Sequence, residues 1–150
     1  MVEQPPLRLV DLDPDAELWN VALPVLQELR ASRTPEQLRE SIRDGAAQGL
    51  RFLAALDGER CLGIAGWRLV VNTSAGQKLY IDDLVTTASA RSRGIGMLIL
   101  DELQTRARAT GCSSMELDSG VQRFEAHRFY LRHRMHISAH HFALPLDFEH

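Results

Sequence analysis

The apolar positions of this chain change period several times, and each change marks a new element. Leu7-Arg8-Leu9-Val10-Asp11-Leu12 alternates apolar and polar residues, the pattern of a strand with one buried face. Asp13-Pro14 supplies a cap and a first-turn proline for a helix running to about Arg30. Thr34-Pro35-Glu36-Gln37 repeats the start signal, with Thr34 as N-cap and Gln37 at the capping-box position. That second helix is expected to end near Gly49. Apolar runs at 51–56 and 61–71 flank Asp57-Gly58 and predict a hairpin. A turn over 72–77 leads into an extended segment at 78–87. Beyond it, Ile95, Leu98, Ile99, Leu103 and Ala107 recur at helical spacing, predicting a helix from about Gly94 to Thr110 that stops at Gly111. A short strand at 114–118 and a helix at 122–134 follow, and the tail from His136 to Phe148 reads as one or two final strands. The order β-αα-βββ-α-β-α-β describes an α+β fold with helices on both faces of a sheet.

Composition narrows the class. At 150 residues the chain is expected to be a single domain over 1–150, with 45% hydrophobic and 25% charged residues. A net charge of −3 argues against nucleic acid as the main partner. The positive charge is local instead, at Arg91, Arg93, Arg106 and Arg108 and again at Arg123, Arg128, Arg132 and Arg134, which suits a small anionic ligand. Cys61 and Cys112 provide neither a disulfide framework nor metal-ligand spacing, so a reducing cytoplasm is expected. Met1 to Leu12 lacks the basic and apolar regions of a signal peptide, and no apolar run approaches a membrane span. Histidines crowd the C-terminal part (His127, His133, His136, His140, His141 and His150), yet the adjacent His140-His141 splays apart and no Cys or carboxylate stands at zinc spacing beside it. No metal is expected.

The densest chemistry lies at Arg91-Ser92-Arg93-Gly94-Ile95-Gly96, between the extended run and the helix. Glycines at a helix start let backbone N–H groups converge on an anion, and the helix dipole adds about half a positive charge there. This is a phosphate-binding turn. It is no dinucleotide fingerprint, because Ile99 stands where a third glycine is required, and no Gly-Lys-Ser/Thr of a Walker loop is present.

The pattern Arg91-x-x-Gly94-x-Gly96 resembles the acyl-CoA-binding motif of the GNAT acetyltransferases. Ile81-Asp82-Asp83-Leu84 resembles the central strand of that family, and Ala126-His127-Arg128-Phe129-Tyr130 its late helix ending in a Phe-Tyr pair. The resemblance is clear over residues 78–136 and implies a small, bacterial-type single-domain member. The implied fold is a mixed, mostly antiparallel sheet whose central strands splay to form the acyl-CoA cleft. Acetyl-CoA is the implied acyl donor. Arg91, Ser92, Arg93, Gly94, Ile95, Gly96 and Met97 would hold its pyrophosphate, mainly through the amides of Arg93 to Met97, and the backbone of Leu84, Val85 and Thr86 would pair with its pantetheine arm. Tyr130 aligns with the family tyrosine that protonates the departing thiolate; a phenol with a pKa near 10 is protonated at neutral pH. Three departures from the family pattern stand out. Ala88-Ser89-Ala90 precedes the motif in place of a proline or acidic residue, Arg123 replaces an asparagine, and Arg134-Met135 replaces a Gly-Phe pair. Arg123 is expected to reach a pantetheine carbonyl, a cofactor phosphate or an acceptor carboxylate.

Asp82 and Asp83 are adjacent, so in a regular strand their side chains leave opposite faces, and only a bulge would turn both toward one cleft. The resemblance implies that a carboxylate of this strand stands near the acceptor nitrogen and takes its ammonium proton, directly or through water, with the choice between Asp82 and Asp83 left open. Asp118, at the end of the strand beside the cofactor groove, and His127, on the tyrosine helix, are candidate substrate contacts. The leading expectation is an acetyl-CoA-dependent N-acetyltransferase that transfers directly to a primary amine of a small molecule. The acidic pair favours a cationic acceptor, while Arg68, Arg123 and Arg128 would suit a carboxylate. The alternatives are a non-catalytic acyl-CoA sensor, a protein N-terminal or lysine acetyltransferase, and transfer of a longer acyl group sized near Trp67 and Phe142. The resemblance also implies a homodimer through the last strands, with Phe142-Ala143-Leu144 as its edge.

Overall fold

Residues 7–146 are described by a computed structural model, and alternation becomes regular structure first in β1 (Arg8–Leu12). β1 pairs antiparallel with β2 (Arg51–Asp57), β2 with β3 (Arg60–Asn72), and β3 with β4 (Gly76–Thr86). β5 (Ser114–Leu117) then joins parallel to β4, giving a five-stranded sheet in the order β1-β2-β3-β4-β5. A parallel neighbour requires a crossover, and α3 (Ile95–Ala109) supplies it.

Both faces of the sheet are covered, which is why β2 and β3 read as nearly continuous apolar runs. On one face α1 (Trp19–Leu29) and α2 (Pro35–Ala46) pack Trp19, Ala22, Leu26, Leu38 and Ile42 against Phe52, Ala54, Leu56, Ile64 and Val85. Alternate residues such as Leu53, Ala55 and Ala65 are equally buried and face the other way. On that side Ile95 and Ile99 of α3 sit against Gly63, where a Cβ would lie 2.7 Å from Ile95 Cγ2.

Local signals place α2 well. Thr34 Oγ1 accepts from the Gln37 amide at 3.1 Å, and Gln37 Oε1 accepts from the Thr34 amide at 2.9 Å. Asp13-Pro14, by contrast, does not start a helix. The Ala16 amide bonds to the Asp13 carbonyl in a turn, and α1 begins only at Trp19. The cause is tertiary: the fully buried Trp19 indole needs an acceptor, and its N–H donates to that same carbonyl at 2.8 Å.

The chain divides into two compact units, the first ending at Leu117 and the second beginning at Asp118. The second contains α4 (Phe124–Arg132). Its C-terminus explains how the helix ends without the family glycine. Arg134 adopts the left-handed conformation at φ +67°, its amide bonds to the Leu131 carbonyl, and the Met135 amide reaches back to Tyr130. That is a Schellman motif carried by an arginine.

The tail corrects the expectation of final strands. Among the described residues, 136–146 form no strand, and Ile137, Phe142, Leu144 and Leu146 are exposed. A strand exists only where a second edge accepts its backbone hydrogen bonds, and no strand pairs with this segment. The expected dimer edge at 142–144 is therefore not a β edge. The last residues of that expected strand, 147–148, together with His150 and residues 1–6, lie outside the described residues. No helix among the described residues is long and apolar enough to cross a membrane.

Candidate active site

β4 and β5 pair only from Lys78↔Ser114 to Ile81↔Leu117. β5 stops there, while β4 continues to Thr86 with β3 on one side only. Among the described residues, the edge of β4 beyond Ile81, including Leu84, Val85 and Thr86, thus has no neighbouring strand on that side. This is the splay implied by the family pattern, and an extended amide-bearing chain fits it as an added strand.

The acidic pair sits where the splay begins. Gly66 pairs with Asp83 and Trp67 with Ile81, so Asp82 is an extra residue in β4 and the strand is bulged there. Strict alternation fails at this point. Asp83 is held by Arg30 from the end of α1, whose Nε lies 2.9 Å from Oδ1 and whose Nη2 also donates to the Asp82 carbonyl at 3.0 Å. Asp82 is held by Arg68 of β3 through two parallel bonds of 2.9 Å. Burial raises the Asp83 carboxyl above the ordinary carboxylate range, and the Arg30 guanidinium opposes that rise. Gly66 makes room for the arrangement, since a Cβ there would lie 2.7 Å from Asp83 Oδ2. Arg68, expected as a possible carboxylate receptor, is committed to Asp82.

The segment between β4 and α3 is anchored at both ends. Glu28 of α1 accepts from the Thr87 hydroxyl at 2.6 Å and from the Ala88 amide at 3.0 Å. The Thr87 amide donates to the Leu62 carbonyl at 2.8 Å. Ala88–Ala90 forms one 3-10 turn; Arg60 bonds Ser89, and Arg93 lies 3.6 Å from Asp57. The hairpin turn of β2 and β3 thus steadies the loop that the Ala88-Ser89-Ala90 substitution leaves without a proline.

The turn itself has the geometry of an anion cradle. Ser92 and Gly94 both take positive φ, at 73° and 75°. A Cβ on Gly94 would meet nothing within 4 Å, so the space before the helix is open. Leu98 donates the first helical bond, to the Gly94 carbonyl at 3.0 Å, which leaves the amides of Ile95, Gly96 and Met97 without partners inside the helix. The Arg93 amide, expected among the donors, bonds instead to the Ala90 carbonyl at 3.3 Å. Open first-turn amides, an unobstructed Gly94 and a free β4 edge leading into them fit a pyrophosphate followed by a pantetheine arm.

The other expected residues belong to the second unit. Arg123 is the N-cap of α4 and Tyr130 lies in its last turns, with its ring edge-on to Phe129 at 5.5 Å. Burial raises the Tyr130 phenol above its ordinary value, and the charge of Arg123 opposes the rise. His127 Nε2 lies 2.7 Å from the Gly120 carbonyl, and Asp118 is 3.6 Å from His141. Among the described residues no group of three His, Cys, Asp or Glu is placed to hold a metal ion. Sequence reasoning missed Arg30 and Glu28. Their only local mark is a charged residue near a helix C-terminus, which is commonplace.

The family described as "Acetyltransferase (GNAT) family" matches residues 16–134. The chain is 35% identical over 115 residues to the uncharacterized N-acetyltransferase YhdJ of Bacillus subtilis (strain 168), covering 76% of this chain and 81% of that protein. Its fold is similar to the aminoglycoside N-acetyltransferase AAC(6')-Iy in complex with CoA, with a TM-score of 0.81, 12% identity, and coverage of 97% and 98% of the two chains. It is also similar to an aminoglycoside acetyltransferase from an uncultured soil metagenomic sample in complex with sisomicin, with a TM-score of 0.75, 14% identity, and coverage of 94% and 97%.

Proposed function

The chain belongs to the GNAT family of N-acetyltransferases, and on that premise we propose that it uses acetyl-CoA to acetylate a primary amine of a small molecule by direct transfer. The observation that carries this reading is a single continuous path in the first unit. The bulged acidic pair, the edge of β4 beyond Ile81 and the open helix N-terminus follow one another along residues 82–97. The donor supplies an activated acetyl group and a thiolate leaving group. The amides of Ile95 to Met97, with Arg91 beside them, bind its pyrophosphate. The backbone of Leu84 to Thr86 aligns the pantetheine arm, and Arg123 steadies a polar group of the donor.

In this reading Asp83 Oδ2, the oxygen that Arg30 does not bond, receives the acceptor's proton directly or through water. Its raised pKa makes it a better base than an ordinary aspartate. Asp82 is the electrostatic partner, and Tyr130 Oη protonates the departing thiolate. Asp118 and His127 contribute to the acceptor side. The two carboxylates are matched by two arginines, so the site is not a bare negative field. A small amine held by hydrogen bonds therefore suits it better than one attracted by charge alone. The aminoglycoside enzymes of the same fold support a small-molecule acceptor. A cytoplasmic location and a homodimer that covers the exposed tail residues Phe142 and Leu144 belong to the same proposal.

The deciding experiment is thiol release from acetyl-CoA against a panel of small amines, amino acids and peptides, with acetyl-CoA binding measured in parallel. Turnover with a small amine is expected. Turnover only on peptides would move the acceptor class to proteins, and binding without turnover on any acceptor would favour the sensor alternative. Absence of binding would overturn the reading.

A further inference from the structure

The end of α1 grips β4 at two places. Arg30, the residue that caps the helix, bonds the Asp83 carboxylate at 2.9 Å and the Asp82 carbonyl at 3.0 Å. Glu28, in the last turn, holds the far end. Its Oε2 accepts from the Thr87 hydroxyl at 2.6 Å and its Oε1 from the Ala88 amide at 3.0 Å. Residues two apart do not share a helix face, but Arg30 has already left the helical repeat, so both side chains reach the strand. Between the two grips lie Leu84, Val85 and Thr86. The span from Asp83 to Thr87 is roughly 13 Å at about 3.3 Å per residue.

Strand alternation shows what the Glu28 grip does. The Thr87 amide donates to the Leu62 carbonyl of β3 at 2.8 Å. In an antiparallel ladder the backbone groups of successive residues point to opposite sides. Those of Leu84 and Thr86 therefore face away from β3, toward the side that has no neighbouring strand among the described residues. Ala88 is the next residue in that alternation, and its amide is the one that Glu28 holds. The open edge thus ends at Thr86. From there the chain bends: Thr87 is extended at ψ 145°, and Ala88–Ala90 forms the 3-10 turn that leads to the phosphate turn. Ala88-Ser89-Ala90 has no proline to fix this bend, and two charge-assisted bonds to one carboxylate fix it instead.

We propose that Glu28 is a positioning residue for the acyl donor, setting the spacing between the arm edge at Leu84 to Thr86 and the amides of Ile95 to Met97. This role rests on the reading of the site as an acyl-CoA cleft, and Glu28 acts through Thr87 and Ala88 rather than on the donor itself. A ligand held at two places gains from the second only when the two stand at the distance its own covalent frame spans. A loose bend would have to be ordered on binding, at the expense of affinity. The sign of the effect is diagnostic. Glu28 is an anion on the segment that leads to an anion site, so by charge alone its removal would strengthen pyrophosphate binding. As a positioning residue, its removal weakens binding.

The test is calorimetric titration of acetyl-CoA into the full chain and into its Glu28→Ala, Glu28→Gln and Glu28→Ala/Ala88→Pro variants. Glu28 is exposed, so the variants fold. Glu28→Ala should weaken acetyl-CoA by about tenfold or more. Glutamine keeps an acceptor for the Ala88 amide and can donate its NH2 group to the Thr87 hydroxyl oxygen, so Glu28→Gln should stay within about threefold of wild type. Proline at position 88 has no N–H to satisfy and fixes φ near the value of a 3-10 turn. Thr87 already has the extended ψ that a following proline requires, so Ala88→Pro should restore most of what Glu28→Ala loses. A wild-type chain that does not bind acetyl-CoA would overturn the reading of the cleft, and this role with it. Wild-type binding with unchanged or tighter binding in Glu28→Ala, or a loss that neither glutamine nor proline recovers, would overturn the role of Glu28 alone.

Discussion

Arg30 and Asp83 stand 53 residues apart in sequence, yet one guanidinium makes two hydrogen bonds to the single oxygen Oδ1, at 2.9 and 2.5 Å. The same side chain holds the Asp82 carbonyl at the bulge. One helix-terminal arginine therefore shapes the backbone of the acidic strand and tempers the charge of the candidate base.

The pH dependence of catalysis follows from that pair. Burial raises Asp83, Arg30 lowers it, Asp82 raises it and Arg68 lowers it. Removing Arg30 takes away the largest opposing influence, so Asp83 loses its proton at a higher pH. Arg30→Gln is expected to move the acidic limb of the kcat/KM profile upward, with Arg30→Lys returning part of the shift and acetyl-CoA affinity unchanged. The stability linkage has the matching sign. Because the folded pKa lies above the unfolded value of 3.8, Asp83 lowers stability as pH rises from 3.8 through the folded pKa. Arg30→Gln widens that window, which urea denaturation at several pH values would register.

Gly66→Ala tests the packing beneath the acidic pair. The new methyl would lie 2.7 Å from Asp83 Oδ2 and 2.8 Å from Phe52 Cε1, and Phe52 is itself fixed edge-on to Trp19 at 5.0 Å. A loss of roughly 1–3 kcal/mol of stability is expected, together with a fall in kcat larger than any change in acetyl-CoA affinity. Wild-type turnover in this variant would show that the position of Asp83 is unimportant.

Gly94→Asp tests the cradle. Aspartate tolerates the left-handed conformation better than most side chains, and open space surrounds the site, so the protein should fold. A carboxylate placed before the amides of Ile95 to Met97 should weaken acetyl-CoA by at least about a hundredfold, while Gly94→Asn weakens it much less. Direct titration of both folded variants separates charge from bulk.

Tyr130→Phe should leave acetyl-CoA affinity intact and lower kcat by about a hundredfold, the usual contribution of a positioned acid. Single-turnover measurement of thiol release checks it, and unchanged kcat would return Tyr130 to a packing role.

Arg134→Gly should raise stability by about 1 kcal/mol, because the Schellman position holds a residue with a Cβ at φ +67°. Arg134 is exposed, and its amide bond to Leu131 is kept by glycine. The shift in urea midpoint measures the cost of the arginine directly.

Features built from neighbouring residues were legible in the sequence alone. The Thr34–Gln37 capping box, the hairpin at Asp57-Gly58, the glycine turn before α3 and the order of elements through α4 all depend on contacts within a few residues, where residue type dictates conformation. The family motif was readable for the same reason, since a phosphate cradle is one turn of backbone. Tertiary structure alone decided the rest. The bulge at Asp82 is a matter of register between β3 and β4, and the arginines that match the acidic pair come from 53 and 14 residues away. The late start of α1 answers the need of a buried indole for an acceptor, which no helix-cap signal encodes. The tail alternates and contains apolar residues, yet it forms no strand, because alternation describes a face to be buried whereas a strand requires a neighbouring backbone to bond.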